Sequence, residues 1–230
     1  MKWHICRDAE ATALECAACI AGLAREAVAA RGQFLLAVSG GETPKSMFIR
    51  LAQQAMPWSQ THVFQVDERV VPAGNADRNL TTLQADLLAR VPLMPQQMHS
   101  MPVEERHLSA AARGYAETLQ QWCGSPPVLD LIHLGLGGDG HTASLVPGDP
   151  VLNVMDREVA VTGMYKGRRR MTLTYPAINR ARRILWLVTG TAKAPILARL
   201  RQGDAHIPAG AIEPENAEVF TDRDAAGVQT

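Results

Sequence analysis

Apolar runs bounded by polar or glycine-rich turns recur along the chain at 34–38, 63–66, 128–134, 159–162, 171–174, 184–188 and 218–221, each short enough to be a buried strand. Between most of them, apolar positions return every three or four residues at 14–30, 44–55, 80–90, 104–122 and 192–200, which predicts helices. The first 30 residues read as a strand followed by one Ala-rich helix. Strands that are apolar throughout and alternate with helices predict an α/β fold with a mostly parallel sheet covered by helices on both faces. No repeat, low-complexity tract or linker interrupts the pattern, and Gly124-Ser125-Pro126-Pro127 reads as a loop between a helix and a strand. With 230 residues, 47% of them hydrophobic, the chain is expected to form a single domain over 1–230.

Charge narrows the class of partner. The 23 basic and 23 acidic residues leave no global field to attract nucleic acid or an anionic membrane. No apolar run approaches transmembrane length, and the first eight residues lack the apolar core of a signal peptide, so a cytoplasmic protein is expected. Of the four cysteines, Cys16 and Cys19 form a C-x-x-C on one face of the first helix. No second ligand pair is spaced to complete a zinc site, so these read as core thiols.

Candidate chemistry gathers in the turns that follow the strands. The run 128–134 ends in Gly135-Leu136-Gly137-Gly138-Asp139-Gly140-His141, a bend carrying one imidazole and one carboxylate. It satisfies G-x-G-x-x-G literally, yet His141 follows the third glycine, and the nearest acids, Asp156 and Glu158, open the next apolar run instead of closing it. A dinucleotide site needs the opposite arrangement. After 34–38 come Ser39, Gly40 and Gly41, then Thr43 as expected N-cap and Pro44 at the first helical position, a start that favours phosphate. Lys45-Ser46 is wrongly spaced for a P-loop. After 63–66 come Asp67, Glu68 and Arg69, three charges that are costly to desolvate unless they bind something or one another. Lys193 opens a helix after the turn 189–192, an unfavourable place for a cation unless an anion sits there. Open parallel sheets bind ligands beyond the carboxyl ends of their strands, so these turns are expected to meet at one edge. The other six histidines, His4, His62, His99, His107, His133 and His206, lack such a setting, and mid-strand His133 is expected to face the core or a helix.

In this order, Ser-Gly-Gly-x-Thr-Pro, Asp-Glu-Arg-x-Val-Pro and Gly-x-Gly-x-Asp-Gly-His-Thr-Ala-Ser-Leu resemble the 6-phosphogluconolactonases, as do the stretch 170–179 and the turn 189–193. The resemblance covers roughly residues 5 to 221. It implies a modified Rossmann-like fold similar to glucosamine-6-phosphate deaminase. It also implies hydrolysis of 6-phospho-D-glucono-1,5-lactone to 6-phosphogluconate in the oxidative pentose phosphate pathway. The implied partner is the small sugar-phosphate lactone. No cluster of His, Cys or carboxylates has ligand spacing, so no metal or organic cofactor is expected, and the chain is expected to be a monomer or small homo-oligomer. The phosphate would be met by Ser39, Gly40, Gly41, Thr43 and Lys193, with Arg170 standing where the family motif has its arginine. Arg168 and Arg169 either assist it or form a solvated loop. His141 would act as general base, with Arg69 and the turn 137–140, including Gly138, stabilising the oxyanion. Asp139 and Asp67 would orient the imidazole or sugar hydroxyls, and Glu68 would hold Arg69.

Two positions depart from the family pattern. Arg78-Asn79 stands where Ser-Asn is usual, removing a local hydroxyl, and Leu145-Val146-Pro147 stands where Leu-Phe-Pro is usual, a change of packing. Two alternatives are weighed against the lactonase reading. An amino-sugar-phosphate deaminase or isomerase has a glutamate that works with the histidine of its similar turn, and that position is Val146 here. A non-catalytic sugar-phosphate sensor would carry a DNA-binding helix-turn-helix, for which the first 30 residues offer no pattern and no basic recognition face.

Overall fold

The computed structural model describes residues 1–228. In chain order the strands are β1 (Lys2–Cys6), β2 (Phe34–Val38), β3 (Thr61–Gln65), β4 (Asp67–Arg69), β5 (Met98–His99), β6 (Leu131–Leu134), β7 (Val159–Val161), β8 (Arg170–Leu173), β9 (Ile184–Val188) and β10 (Ala217–Asp222). The α-helices are α1 (Ala9–Arg31), α2 (Pro44–Leu51), α3 (Asn79–Asp86), α4 (Leu108–Cys123), α5 (Tyr175–Asn179), α6 (Ala194–Arg201) and α7 (Arg223–Ala226). Seven strands make one sheet in the order β1-β10-β9-β6-β2-β3-β5, with every neighbouring pair parallel.

The wholly apolar strands follow from burial on both faces. Along β2, Phe34, Leu36 and Val38 pack on one side with Ile20 of α1 and Met47 and Leu51 of α2, while Leu35 and Ala37 pack on the other with Tyr115 and Leu119 of α4. Helix α1 starts earlier than the apolar period at 14 predicts, because Asp8 accepts the Ala11 N–H at 2.8 Å and caps it. Gly32, at φ 77°, ends it. Its Cys16 is buried, burial raises the Cys16 thiol pKa, and all four cysteines are free thiols.

The runs 159–162 and 171–174 do form strands but do not join the parallel sheet. They form β7 and β8, which pair antiparallel with β4 in a separate three-stranded sheet ordered β4-β8-β7. The reason is visible at Val66, whose N–H donates to Val38 O at 3.0 Å in the main sheet and whose carbonyl accepts the Leu173 N–H at 2.8 Å in the small one. One chain segment thus crosses from one sheet to the other, and Asp67, Glu68 and Arg69 form a strand instead of a loop. The edge strand β5 and the short helices α5 and α7 are too brief to leave a periodic signature. Among the described residues, no helix is long and apolar enough to cross a membrane.

Candidate active site

The carboxyl ends of β2, β3, β6 and β9 open onto a cavity of about 340 Å³. Ten of the twelve residues singled out in the sequence line it: Ser39, Gly40, Gly41 and Thr43 after β2, Asp67 and Arg69 on β4, Gly138 and His141 after β6, Arg170 on β8, and Lys193 ahead of α6. Asp139 and Glu68 do not.

His141 owes its place to a glycine. A Cβ on Gly137 would lie 2.0 Å from His141 Nδ1, so only glycine lets the ring fold back over the turn. The imidazole Nδ1 lies 2.5 Å from Asp139 Oδ1, and Asp139 Oδ2 accepts the Tyr165 hydroxyl at 2.6 Å. Facing a carboxylate, Nδ1 is assigned the proton, which leaves Nε2 as the basic nitrogen. Nε2 has no hydrogen-bond partner among the described residues. Partial burial raises the Asp139 pKa, but the hydrogen bonds from Tyr165 and His141 outweigh it and hold the carboxyl well below the usual carboxylate range. The turn itself consumes two of the N–H groups expected to meet an oxyanion: Gly137 donates to His141 O at 2.8 Å and Gly140 to Gly137 O at 2.9 Å.

Opposite the imidazole, Asp67 is buried beside the guanidinium groups of Arg69 and Arg170, which face each other across the β4–β8 pairing. Burial raises its pKa, while Arg69, the Ser144 hydroxyl and Arg170 pull it back. Ser144 donates to Asp67 Oδ2 at 2.6 Å, and Asn79 Nδ2 donates to Asp67 O at 2.9 Å and to Oδ1 at 3.2 Å. Asp67 therefore does not touch His141, and of the two acids expected to orient the imidazole only Asp139 reaches it. Lys193 Nζ donates to Leu136 O at 2.5 Å, and burial lowers its pKa. Thr43 sits one residue before α2 as expected, but with helical backbone and no side-chain cap. Gly40 lies so close to Asn79 that a Cβ would fall 2.1 Å from its Oδ1.

Glu68 departs from its expected role. It is fully buried, with its Oε1 taking the N–H groups of Arg69 and Asn79 and its Oε2 those of Gln65 Nε2 and Leu80, each at 2.8 Å. It anchors the start of α3 and does not grip the Arg69 side chain, whose Nη1 donates instead to Asp77 O at 2.8 Å. Arg78, the first departure from the family pattern, is buried with its Nε 3.3 Å from Glu68 Oε2 and its Nη1 donating to Val71 O at 3.2 Å. The guanidinium thus pairs with an otherwise uncompensated carboxylate. Val146, the second departure, is buried and puts no carboxylate near His141. Arg168 is paired with Asp77 and Arg169 Nε donates to Thr162 O, so of the three consecutive arginines only Arg170 lines the cavity.

Four buried atoms at the cavity residues take no partner among the described residues: Ser39 Oγ, Arg69 Nε, Asn79 Oδ1 and Arg170 Nε. Three donors and one acceptor at the cavity wall are thus left open, where buried polar atoms are normally satisfied. Asn79, Ser144, Tyr165 and Lys166 are missing from the sequence reading. Asn79, beside the Arg78 departure, and Ser144, the serine of the His-Thr-Ala-Ser motif, carried signals that could have found them. Among the described residues, no group of three or more His, Cys, Asp and Glu side chains is placed to hold a metal ion.

Fold and site together define a class: a parallel α/β protein with an imidazole–carboxylate pair and a cationic crevice at the carboxyl edge of its sheet. Within that class, the chain belongs to the family described as glucosamine-6-phosphate isomerases/6-phosphogluconolactonase, whose model matches residues 7–221. It is 39% identical over 209 residues to a 6-phosphogluconolactonase of Synechocystis sp., covering 88% of this chain and 87% of the relative. A crystal structure of a 6-phosphogluconolactonase from Shewanella baltica superposes with a TM-score of 0.82 at 26% identity, covering 96% of this chain and 97% of that one. A monomeric glucosamine-6-phosphate deaminase shares the fold, with a TM-score of 0.87 at 19% identity and full coverage of both chains.

Proposed function

We propose that this chain hydrolyses 6-phospho-D-glucono-1,5-lactone to 6-phosphogluconate in the oxidative pentose phosphate pathway, with His141 as general base. The observation that carries this reading is the tethering of His141 Nδ1 to Asp139, which leaves Nε2 basic in a cavity lined by Arg69, Arg170, Lys166 and Lys193. Nε2 takes a proton from water as the water oxygen bonds to lactone C1, and the carbonyl π electrons move onto the carbonyl oxygen. Arg69 stands as the fixed positive partner for that oxyanion, with Gly138 beside it. When the tetrahedral intermediate collapses, the C1–ring oxygen bond breaks, and the imidazolium returns its proton to the departing ring oxygen. The open sugar acid leaves and the base is restored.

The remaining parts serve binding. Lys193 and Arg170 suit the 6-phosphate, with Ser39, Gly40, Gly41 and Thr43 completing its cradle. Asn79 Oδ1 suits a sugar hydroxyl, because it is an open acceptor held by the Asp67 carbonyl and carboxylate. Asp67 positions Arg69 and Arg170 by charge. We place the protein in the cytoplasm, a location that suits its free thiols, and read the chain as one domain because both faces of the sheet are filled by core. The test is hydrolysis of freshly made 6-phosphogluconolactone measured above its spontaneous rate, with unphosphorylated gluconolactone as control. A large kcat/KM advantage for the phosphorylated lactone is expected. Equal values, or no rate above the spontaneous one, overturn the reading.

A further inference from the structure

Tyr165 belongs to none of the sequence motifs, yet it touches both halves of the site. The β7–β8 connection folds back in a two-residue hairpin: the Tyr165 N–H donates to Arg168 O at 2.9 Å and the Arg168 N–H to Tyr165 O at 3.2 Å. Lys166 and Gly167 between them take φ of 50° and 77°, the pair of positive values that a type I′ turn requires. Arg168 is ion-paired with Asp77, which ties the hairpin to the loop ahead of α3. From this frame the Tyr165 hydroxyl donates to Asp139 Oδ2 at 2.6 Å, lies 3.4 Å from His141 Nδ1, and its ring meets the imidazole edge-on at 5.6 Å between centroids. The Arg170 guanidinium carbon lies 4.9 Å from the Tyr165 ring centroid, and Lys166 Nζ lies 5.2 Å from it.

We propose that Tyr165 is a positioning residue for the hydrolysis: its hydroxyl fixes Asp139 against His141, and its ring seats Arg170 and Lys166, so one side chain holds the base in register with the anion-binding wall. This rests on the reading of His141 as the base. The physical need is plain, because the Asp139 and His141 side chains are 39% and 21% exposed, and a partly exposed hydrogen-bonded pair on its own fixes little. With Oδ1 committed to His141 and Oδ2 to Tyr165, rotation of the carboxylate is stopped, as a preorganised site requires. On the other side, the ring face orients Arg170 and Lys166 without adding a carboxylate that would compete with an anion.

The two functions separate by mutation. Tyr165→Phe keeps the ring and removes the hydroxyl. Asp139 then turns its full charge on Nδ1 and favours the imidazolium, with Lys193, Lys166 and Arg170 the other charged groups facing this cluster and unchanged. The acidic limb of kcat/KM, and the His141 imidazole titration followed by NMR, should both move to higher pH, while kcat falls on the order of 10-fold, less than the ~10²-fold cost of a 1 Å misplacement. KM for the phosphorylated lactone should hardly change. Tyr165→Leu also removes the platform, and should raise that KM in addition. A Tyr165→Phe protein with the parent's melting, kcat and imidazole titration overturns the proposal, as does a Tyr165→Leu protein with the KM of Tyr165→Phe. An inactive parent would overturn the reading of the site itself, and the imidazole titration, which needs no turnover, would still report whether the hydroxyl acts on His141.

Discussion

Two carboxylates, Glu68 and Asp139, each sit in a charged segment that follows a buried strand, and the structure uses them in opposite ways. Glu68 is 0% exposed, and its two oxygens are filled by four N–H donors, three of them backbone, with the Arg78 guanidinium alongside. Asp139 is partly exposed and holds an imidazole and a phenol. A carboxylate saturated by backbone donors is a piece of scaffold, because any change of charge or angle strands several buried groups together. A carboxylate whose donors are themselves titratable can pass its charge to a reacting centre. The difference lies in what each carboxylate accepts: backbone donors in the Asp-Glu-Arg segment, an imidazole and a phenol in the glycine turn.

The sharpest way to break this comparison is to remove the group that Asp139 serves. His141→Ala should lower kcat by roughly 10² to 10⁴ with melting unchanged, since general-base catalysis contributes about that much. Circular dichroism and turnover on the same preparation check it, and near-full kcat in a folded variant would move the chemistry elsewhere. Asp139→Asn should have a smaller effect and a diagnostic pH signature. The folded pKa of Asp139 is depressed, so the parent carboxylate keeps its charge until the pH falls through that low value, and protonation of the base His141 sets the acidic limb of the profile. Without its anionic partner the imidazolium is less stable, so the limb should move to lower pH in Asp139→Asn. If the two profiles coincide, Asp139 does not act through His141.

Lys193→Ala tests the binding half of the cavity and should act through KM. Losing one charge-assisted contact to a phosphate costs about 1.5–3 kcal/mol, or roughly 10- to 100-fold in kcat/KM for the phosphorylated lactone, with little change for the unphosphorylated one. Steady-state kinetics on both lactones measure it. An equal loss on both would mean that Lys193 holds the Leu136 turn and not the phosphate, since its Nζ also donates to that carbonyl.

Much of this geometry was legible from residue pattern alone. Apolar runs at β2 and β9 coincide with the strands, and because ligands gather beyond the carboxyl ends of parallel strands, the turns after them converge on one cavity. His133 and His141 separate for the same reason: one lies inside a strand and is buried, its pKa pushed down to about 4, and the other lies on the glycine turn beyond it. What stayed hidden is three-dimensional. That Val66 passes the chain from one sheet to another depends on which strand offers it a partner, and no local pattern encodes that. Tyr165 reaches Asp139 only because the β7–β8 hairpin folds over the turn, a contact between positions 26 residues apart. That Glu68 anchors a helix instead of the Arg69 side chain stayed hidden too, because two of the three backbone N–H groups that fill it come from α3, whose approach the sequence does not show.

Glu68→Gln should have the smallest effect on turnover and is the closest test of the comparison. The substitution keeps the volume but replaces one acceptor oxygen with an NH₂ group, which must face N–H donors from Gln65, Arg69, Asn79 or Leu80. It also leaves the Arg78 guanidinium buried, with Glu104 at 3.6 Å as its nearest remaining carboxylate. Unsatisfied buried donors and a half-broken buried ion pair together should cost on the order of 3 kcal/mol of stability. Because α3 and the Arg69 backbone are what Glu68 holds, kcat per folded molecule at low temperature should stay within about threefold of the parent, the scatter expected where no reacting group is touched. Denaturant melts combined with active-site-normalised kcat separate the two quantities. Asp139→Asn should show the reverse split, with damaged kcat and nearly parental stability. If Glu68→Gln instead lost turnover while melting like the parent, its carboxylate would be working on the substrate side through Arg69, and the division between scaffold and chemistry drawn here would fail.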